Sequence, residues 1–247
     1  MKMENVKIIL KRKEELKGAT LLTGFHGVGF VGHITIKHLV SALGAKLVGY
    51  IETLHMPPYV GMREDGRVQT PFEIYKARLG DSDIVLVLTE IPLNSRDTQD
   101  FAFTLSEWSV KEGFEEALLV GGLDMRLKKS DEDEVRCVTT SAYLRKYGRE
   151  GIGFLEKGYY VVGPLALMLA KYEMMDFPAI AILPYASIER PDPRAAAVAI
   201  KYIGRHFGVQ INTKRLIEEA EVIEKELEEI SRKSMERAER EIRSLYV

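Results

Sequence analysis

Along the chain, short apolar runs alternate with segments in which apolar residues recur every three or four positions. The runs Ala19–Leu22, Ile84–Leu88, Ala117–Val120 and Ala179–Leu183 are continuous, which predicts strands buried on both faces. Val6–Leu10 reads as a short edge strand, and Lys46–Ile51 as a further strand. Helical spacing covers Ile34–Leu43 and Asp97–Glu112, the latter with Phe101, Leu105 and Trp108 on one face. Gly163-Pro164 and Asp192-Pro193 open two more helices, each with proline at its favoured first position. Met56-Pro57-Pro58 must be loop, because its prolines remove donors and force extended backbone. From Gly61 to Leu79 the chain reads as hairpin material turned at Asp65-Gly66. Ser130–Glu134 reads as a solvated loop and Val135–Thr140 as a strand or crossover. The alternation predicts one α/β domain over residues 1–211, a mostly parallel sheet with helices on both faces.

Residues 212–247 change character. Asn212-Thr213 is a helix start, and Lys214–Arg243 contains neither Gly nor Pro. Leu216, Ala220, Ile223, Leu227 and Ile230 keep three-four spacing. After Ser231 the phase slips to Met235, Ala238, Ile242 and Leu245. The slip predicts a C-terminal helical tail whose first half packs and whose second half is more exposed.

Composition narrows the function classes. With 247 residues, 46% of them hydrophobic, the chain can bury a large core. A net charge of −2 predicts no general attraction to nucleic acid or to an acidic membrane. Cys137 is the only cysteine, which excludes an internal disulfide and fits a reducing, cytoplasmic setting. No signal-peptide pattern and no membrane-spanning apolar run is read. The five histidines lack metal-site spacing, so no metal is expected.

Candidate chemistry centres on the stretch from Thr23 to Gly32. It links a strand to a helix, and Gly27, Gly29 and Gly32 satisfy G-x-G-x-x-G, with Glu52 about where a ribose-binding acid would fall. The other reading is a turn in which Gly24, Gly27, Gly29 and Gly32 serve backbone geometry and close packing. His26 is an anion-binding candidate within that turn, or an exposed loop residue. Glu52, Glu90 and Asp124 end strands and, with Arg126, Glu189 and Arg190, form a candidate cleft at the carboxyl edge of the sheet. Alternatively they are polar simply because strands end at water. No G-x-S-x-G elbow, Walker lysine or paired-acid signature is present.

The turn Gly24-Phe25-His26-Gly27-Val28-Gly29-Phe30-Val31-Gly32, Gly121-Gly122, Gly163-Pro164 and Pro191-Asp192-Pro193-Arg194-Ala195-Ala196 together resemble the archaeal homologues of proteasome-assembly chaperones. The likeness spans nearly the whole chain; His26 departs from it, since relatives often have proline there. It implies a fold similar to phosphorylase/hydrolase-like α/β proteins, no catalytic residues and no cofactor. It also implies a closed homo-oligomer, the α-subunits of the proteasome core particle as partners, and a related chaperone homologue as a further partner. Leu245-Tyr246-Val247 then fits the hydrophobic-tyrosine-any ending by which proteasome activators and chaperones dock between α-subunits. Two functions follow. One is a non-enzymatic assembly chaperone or ATP-independent activator; the other is a nucleotide- or nucleoside-handling enzyme using the glycine turn and strand-end acids.

Overall fold

The computed structural model describes residues 5–63, 65–130 and 132–222. Strands β1 (Val6–Leu10) and β2 (Thr20–Gly24) precede helix α1 (Val31–Ala42) and strand β3 (Lys46–Thr53). A two-stranded hairpin, β4 (Gly61–Met62) and β5 (Val68–Gln69), leads into β6 (Phe72–Leu79) and β7 (Ser82–Thr89). Next come α2 (Thr98–Lys111), β8 (Glu116–Val120), β9 (Leu123–Asp124), β10 (Val135–Thr139) and α3 (Ser141–Tyr147). Helix α4 (Pro164–Met174), β11 (Ala179–Ala186) and α5 (Pro193–His206) follow, and residues 214–222 are helical.

Nine strands form one sheet in the order β1-β3-β6-β7-β2-β8-β11-β10, with β9 paired beside β11. Its centre, β7-β2-β8-β11, is parallel; both flanks are antiparallel. The parallel centre and the helices on both faces are as the sequence predicts, and the antiparallel flanks make the whole sheet a mixed one. The reason lies in the connections: β6 turns into β7 through the tight Gly80 turn, which only an antiparallel pair permits. The all-apolar runs map onto the central strands, where helices cover both faces.

Alternation along those strands sorts side chains into two layers. Leu21, Val85, Val87, Ala117, Leu119 and Ala181 face α2 and α4, meeting Phe101, Leu105, Met168 and Tyr172. Leu22, Ile84, Leu86, Leu118, Ile180 and Ile182 face α1 and α5, meeting Ile36, Leu39, Ile200 and Ile203. The alanines of α5 let that helix lie close: Ala195, Ala196, Ala197 and Ala199 are all buried. Sequence periodicity misses α3, a short helix capped by Thr140, whose hydroxyl accepts from the Tyr143 amide. The predicted tail helix begins as expected, with Leu216 and Ala220 buried. The part of that prediction from Ile223 onward, including Leu245-Tyr246-Val247, lies outside the described residues.

Candidate functional site at the carboxyl edge of the sheet

The parallel strands end together where β2 runs into the glycine turn. A single 3-10 turn, Val28–Phe30, carries the chain into α1. Gly29 and Phe30 both take left-handed backbone, φ 59° and 50°. Glycine adopts this freely, whereas a phenylalanine there is strained.

The absent side chains of this turn point into the protein's own backbone. A Cβ on Gly24 would lie 2.6 Å from Gly32 Cα, and one on Gly32 would lie 2.5 Å from the Val120 carbonyl. From the neighbouring strand end, a Cβ on Gly122 would meet the Val28 carbonyl at 2.4 Å. At Gly29 a Cβ would meet Ala186 Cβ at 2.8 Å and Asp192 Cβ at 3.1 Å. Gly27 differs: it is extended, and nothing lies within 4 Å of where its Cβ would be.

Asp192 fixes the turn from the far side. Its amide donates to the Gly29 carbonyl at 2.8 Å, while its carboxylate accepts from the amides of Ser187 and Ala195, each at 3.0 Å. The sequence identifies Asp192 as a helix cap; its bond to Gly29 has no local signal, since the two are far apart in the chain.

His26 is half-buried rather than exposed. Its ring stacks on His33, centroids 4.3 Å apart, and His33 Nδ1 donates to the Thr89 carbonyl at 2.9 Å. Burial, then the neighbouring His33, pushes His26 down to about 4, and burial likewise lowers His33. At neutral pH the His26 ring therefore offers no charge to an anion.

The three candidate acids are not brought together. Glu90 follows β7, accepting from Lys37 Nζ at 2.9 Å and from Gln69 Nε2. It lines a cleft of about 460 Å³ between α1, the hairpin and the C-terminal helix, shared with His33, Lys37, Arg63 and Arg215. Glu52 is exposed near the end of β3, opposite Lys7. Three strand spacings separate β3 from β2, about 14 Å, so Glu52 stands far from the glycine turn. Asp124 lies beside β11 and is held by Arg126, whose Nη2 donates at 2.6 Å; these bonds keep the carboxyl below its usual range. Glu189 is exposed and Arg190 half-buried in the loop before α5. Among the described residues, no group of three or more His, Cys, Asp or Glu is placed to hold a metal ion.

A polar cluster the sequence reading missed sits under the hairpin. Glu73, fully buried on β6, accepts from Arg63 Nη2 at 2.5 Å, the Thr70 amide at 2.8 Å, the Thr70 hydroxyl at 3.0 Å and the Tyr75 hydroxyl at 2.6 Å. A lone acid inside the apolar run Phe72–Tyr75 was the available signal, since an unpaired charge there would be prohibitive.

Comparison with known proteins accords with this architecture. An uncharacterized protein of Methanocaldococcus jannaschii is 26% identical over 232 residues, covering 92% of this chain and 90% of its own length. Pyrococcus furiosus PbaA, described as an archaeal homolog of proteasome-assembly chaperone, superimposes with a TM-score of 0.79 at 26% identity, covering 98% of each chain. Pyrococcus furiosus PbaB, described as an archaeal proteasome activator, superimposes with a TM-score of 0.78 at 21% identity, covering 93% of this chain and 100% of its own. The PAC2 family profile matches residues 21–231, and the chain belongs to the PAC2 family.

Proposed function

We propose that this protein is a non-enzymatic, oligomeric proteasome-binding protein, an assembly chaperone or ATP-independent activator. The observation that carries the reading is the end-to-end similarity to PbaA. In this reading the glycine turn is structural. Gly24, Gly29 and Gly32 let strand, turn and helix close on one another, and Gly27 contributes no packing. Two features weigh against the nucleotide-handling alternative. The space beside Gly29 is taken by Ala186 and Asp192, and Glu52 is three strands from the turn.

Contact with the core particle is assigned to Leu245-Tyr246-Val247, the tyrosine supplying rigid amphipathic area with a hydroxyl handle. One tripeptide buries too little surface for tight binding. Several tails on one closed oligomer raise one another's effective concentration, into the millimolar range for flexible tethers. A pull-down with proteasome core particle tests this. The full chain is expected to be retained and a chain lacking residues 245–247 lost; equal retention of both would refute the tail's role.

A further inference from the structure

Two stretches of the protein hold apolar side chains in water. One is an arm from Leu54 to Val68, where Tyr59, Val60, Met62 and Val68 are each more than half exposed. The other is the outer edge of β1, and it comes with a groove.

The two edges of the sheet are treated differently. Past β10, residues 153–155 close the far edge: the Cys137 amide donates to the Gly153 carbonyl at 2.7 Å, and the Leu155 amide to the Cys137 carbonyl at 2.9 Å. At β1 no described segment does this. Pairing with β3 decides which groups are left over. The Asn5 carbonyl accepts from the Leu54 amide and the Lys11 amide donates to the Val48 carbonyl, both at 2.8 Å, so odd-numbered residues bond inward. The amides and carbonyls of Val6, Ile8 and Leu10 therefore point away from the sheet. Val6 is buried, but Ile8 and Leu10 are only half-buried, and Ile9 between them is 45% exposed.

Beside this edge runs a groove of about 720 Å³, floored by residues 5–9 and walled by Asp100, Phe103, Thr104, Glu107, Trp108 and Lys111. The wall residues recur at three-four spacing and so form one face of α2. Odd and even residues of β1 both line the groove, which places it along the strand's edge rather than on one face. Charge narrows what fits. Asp100 already accepts from Asn5 Nδ2 at 2.7 Å, and Glu107 pairs with Lys171 Nζ at 2.5 Å. Lys7 and Lys111 have no ion pair among the described residues, so the open charges are positive. Pairing two β1 strands about a two-fold would bring two α2 walls onto one groove, whereas a lone strand meets no such obstacle.

We infer that the β1 edge takes up an extended segment of a partner protein by strand addition, apolar at alternate positions and acidic between them. Its backbone bonds Ile8 and Leu10, its apolar side chains lie against Phe103 and Trp108, and its carboxylates answer Lys7 and Lys111. Main-chain bonds supply affinity in such additions, and the side-chain contacts supply specificity. Lysines on the edge discourage indiscriminate pairing.

The test titrates full-length protein with a labelled octapeptide of alternating valine and glutamate, read by fluorescence anisotropy and by hydrogen exchange. Saturable binding is expected, with slowed exchange confined to residues 5–10. Two further peptides carry N-methyl groups on all valines or on all glutamates. One should bind at least tenfold more weakly than the other, because only one set of amides faces β1. Lys7→Glu/Lys111→Glu should bind the parent peptide at least tenfold more weakly at an unchanged melting temperature. No saturable binding, protection elsewhere, equal affinity for the two methylated peptides, or undiminished binding by the charge variant would each overturn the inference. Protection of residues 5–10 that rises with protein concentration in the absence of peptide would give the edge to a second copy and overturn it too.

Discussion

The glycine turn and the Leu54–Val68 arm lie at the same edge of the sheet and are built in opposite ways. At the turn, the protein removes side chains so that backbone fits backbone: Gly32 faces the Val120 carbonyl, Gly122 the Val28 carbonyl, and Asp192 bonds Gly29. At the Leu54–Val68 arm, a half-buried Arg63 paired with the fully buried Glu73 holds the hairpin while apolar side chains stand out in water. A sequence motif associated with ligands thus marks the closed region, and an unremarkable proline-flanked stretch marks the open one.

Breaking the arm's anchor should have the largest effect on stability. Arg63→Met leaves Glu73 buried without its cation, a change expected to cost about 3–5 kcal/mol in urea unfolding. Replacing both partners, Arg63→Met/Glu73→Leu, should recover much of that loss, because the penalty comes from the orphaned charge. A double variant as unstable as the single would mean the hairpin, not the charge, sets the cost.

Within the turn, the four glycines should separate. Gly32→Ala forces a Cβ onto backbone and should cost about 1–3 kcal/mol. Gly27→Ala, in extended backbone facing open space, should stay within about 0.5 kcal/mol of the parent. Equal costs would remove the packing account, and a melting-temperature rise with millimolar NAD or ATP would restore the nucleotide reading.

A smaller effect concerns pH. The folded protein holds His26 near 4 against 6.5 when unfolded, so the unfolded state binds the proton first as pH falls. Stability from this group is fully present above about 6.5 and declines towards 4. His26→Gln should flatten the stability–pH slope in that window. The change should be well below the ~1.4 kcal/mol per pH unit of one full proton, because the ring is only half-buried. An unchanged slope would mean that His26 titrates normally.

Strand and helix positions were legible because burial on both faces leaves continuous apolar runs and helical burial leaves three-four spacing. Val6–Leu10, the α2 span and both proline-opened helices follow directly. Strand neighbours were less legible. The chain passes from β2 through α1 into β3, yet β6 and β7 insert between those strands, and local pattern carries no record of that. This is why Glu52 resembled a ribose partner in sequence and stands apart in space. The stacking of His26 on His33 and the bond from Asp192 to Gly29 are likewise products of the turn's closure. Glu73 was the one hidden feature with a visible sign, a charge inside an apolar strand.

Direct binding to immobilised proteasome core particle tests the central claim, with the parent, Tyr246→Ala and Glu90→Gln compared at equal concentration. The account predicts that Tyr246→Ala loses binding while its melting temperature and sedimentation match the parent, and that Glu90→Gln binds as the parent does. Undiminished binding by Tyr246→Ala, or binding lost in Glu90→Gln, would contradict it and move the functional contact to the cleft at the sheet edge.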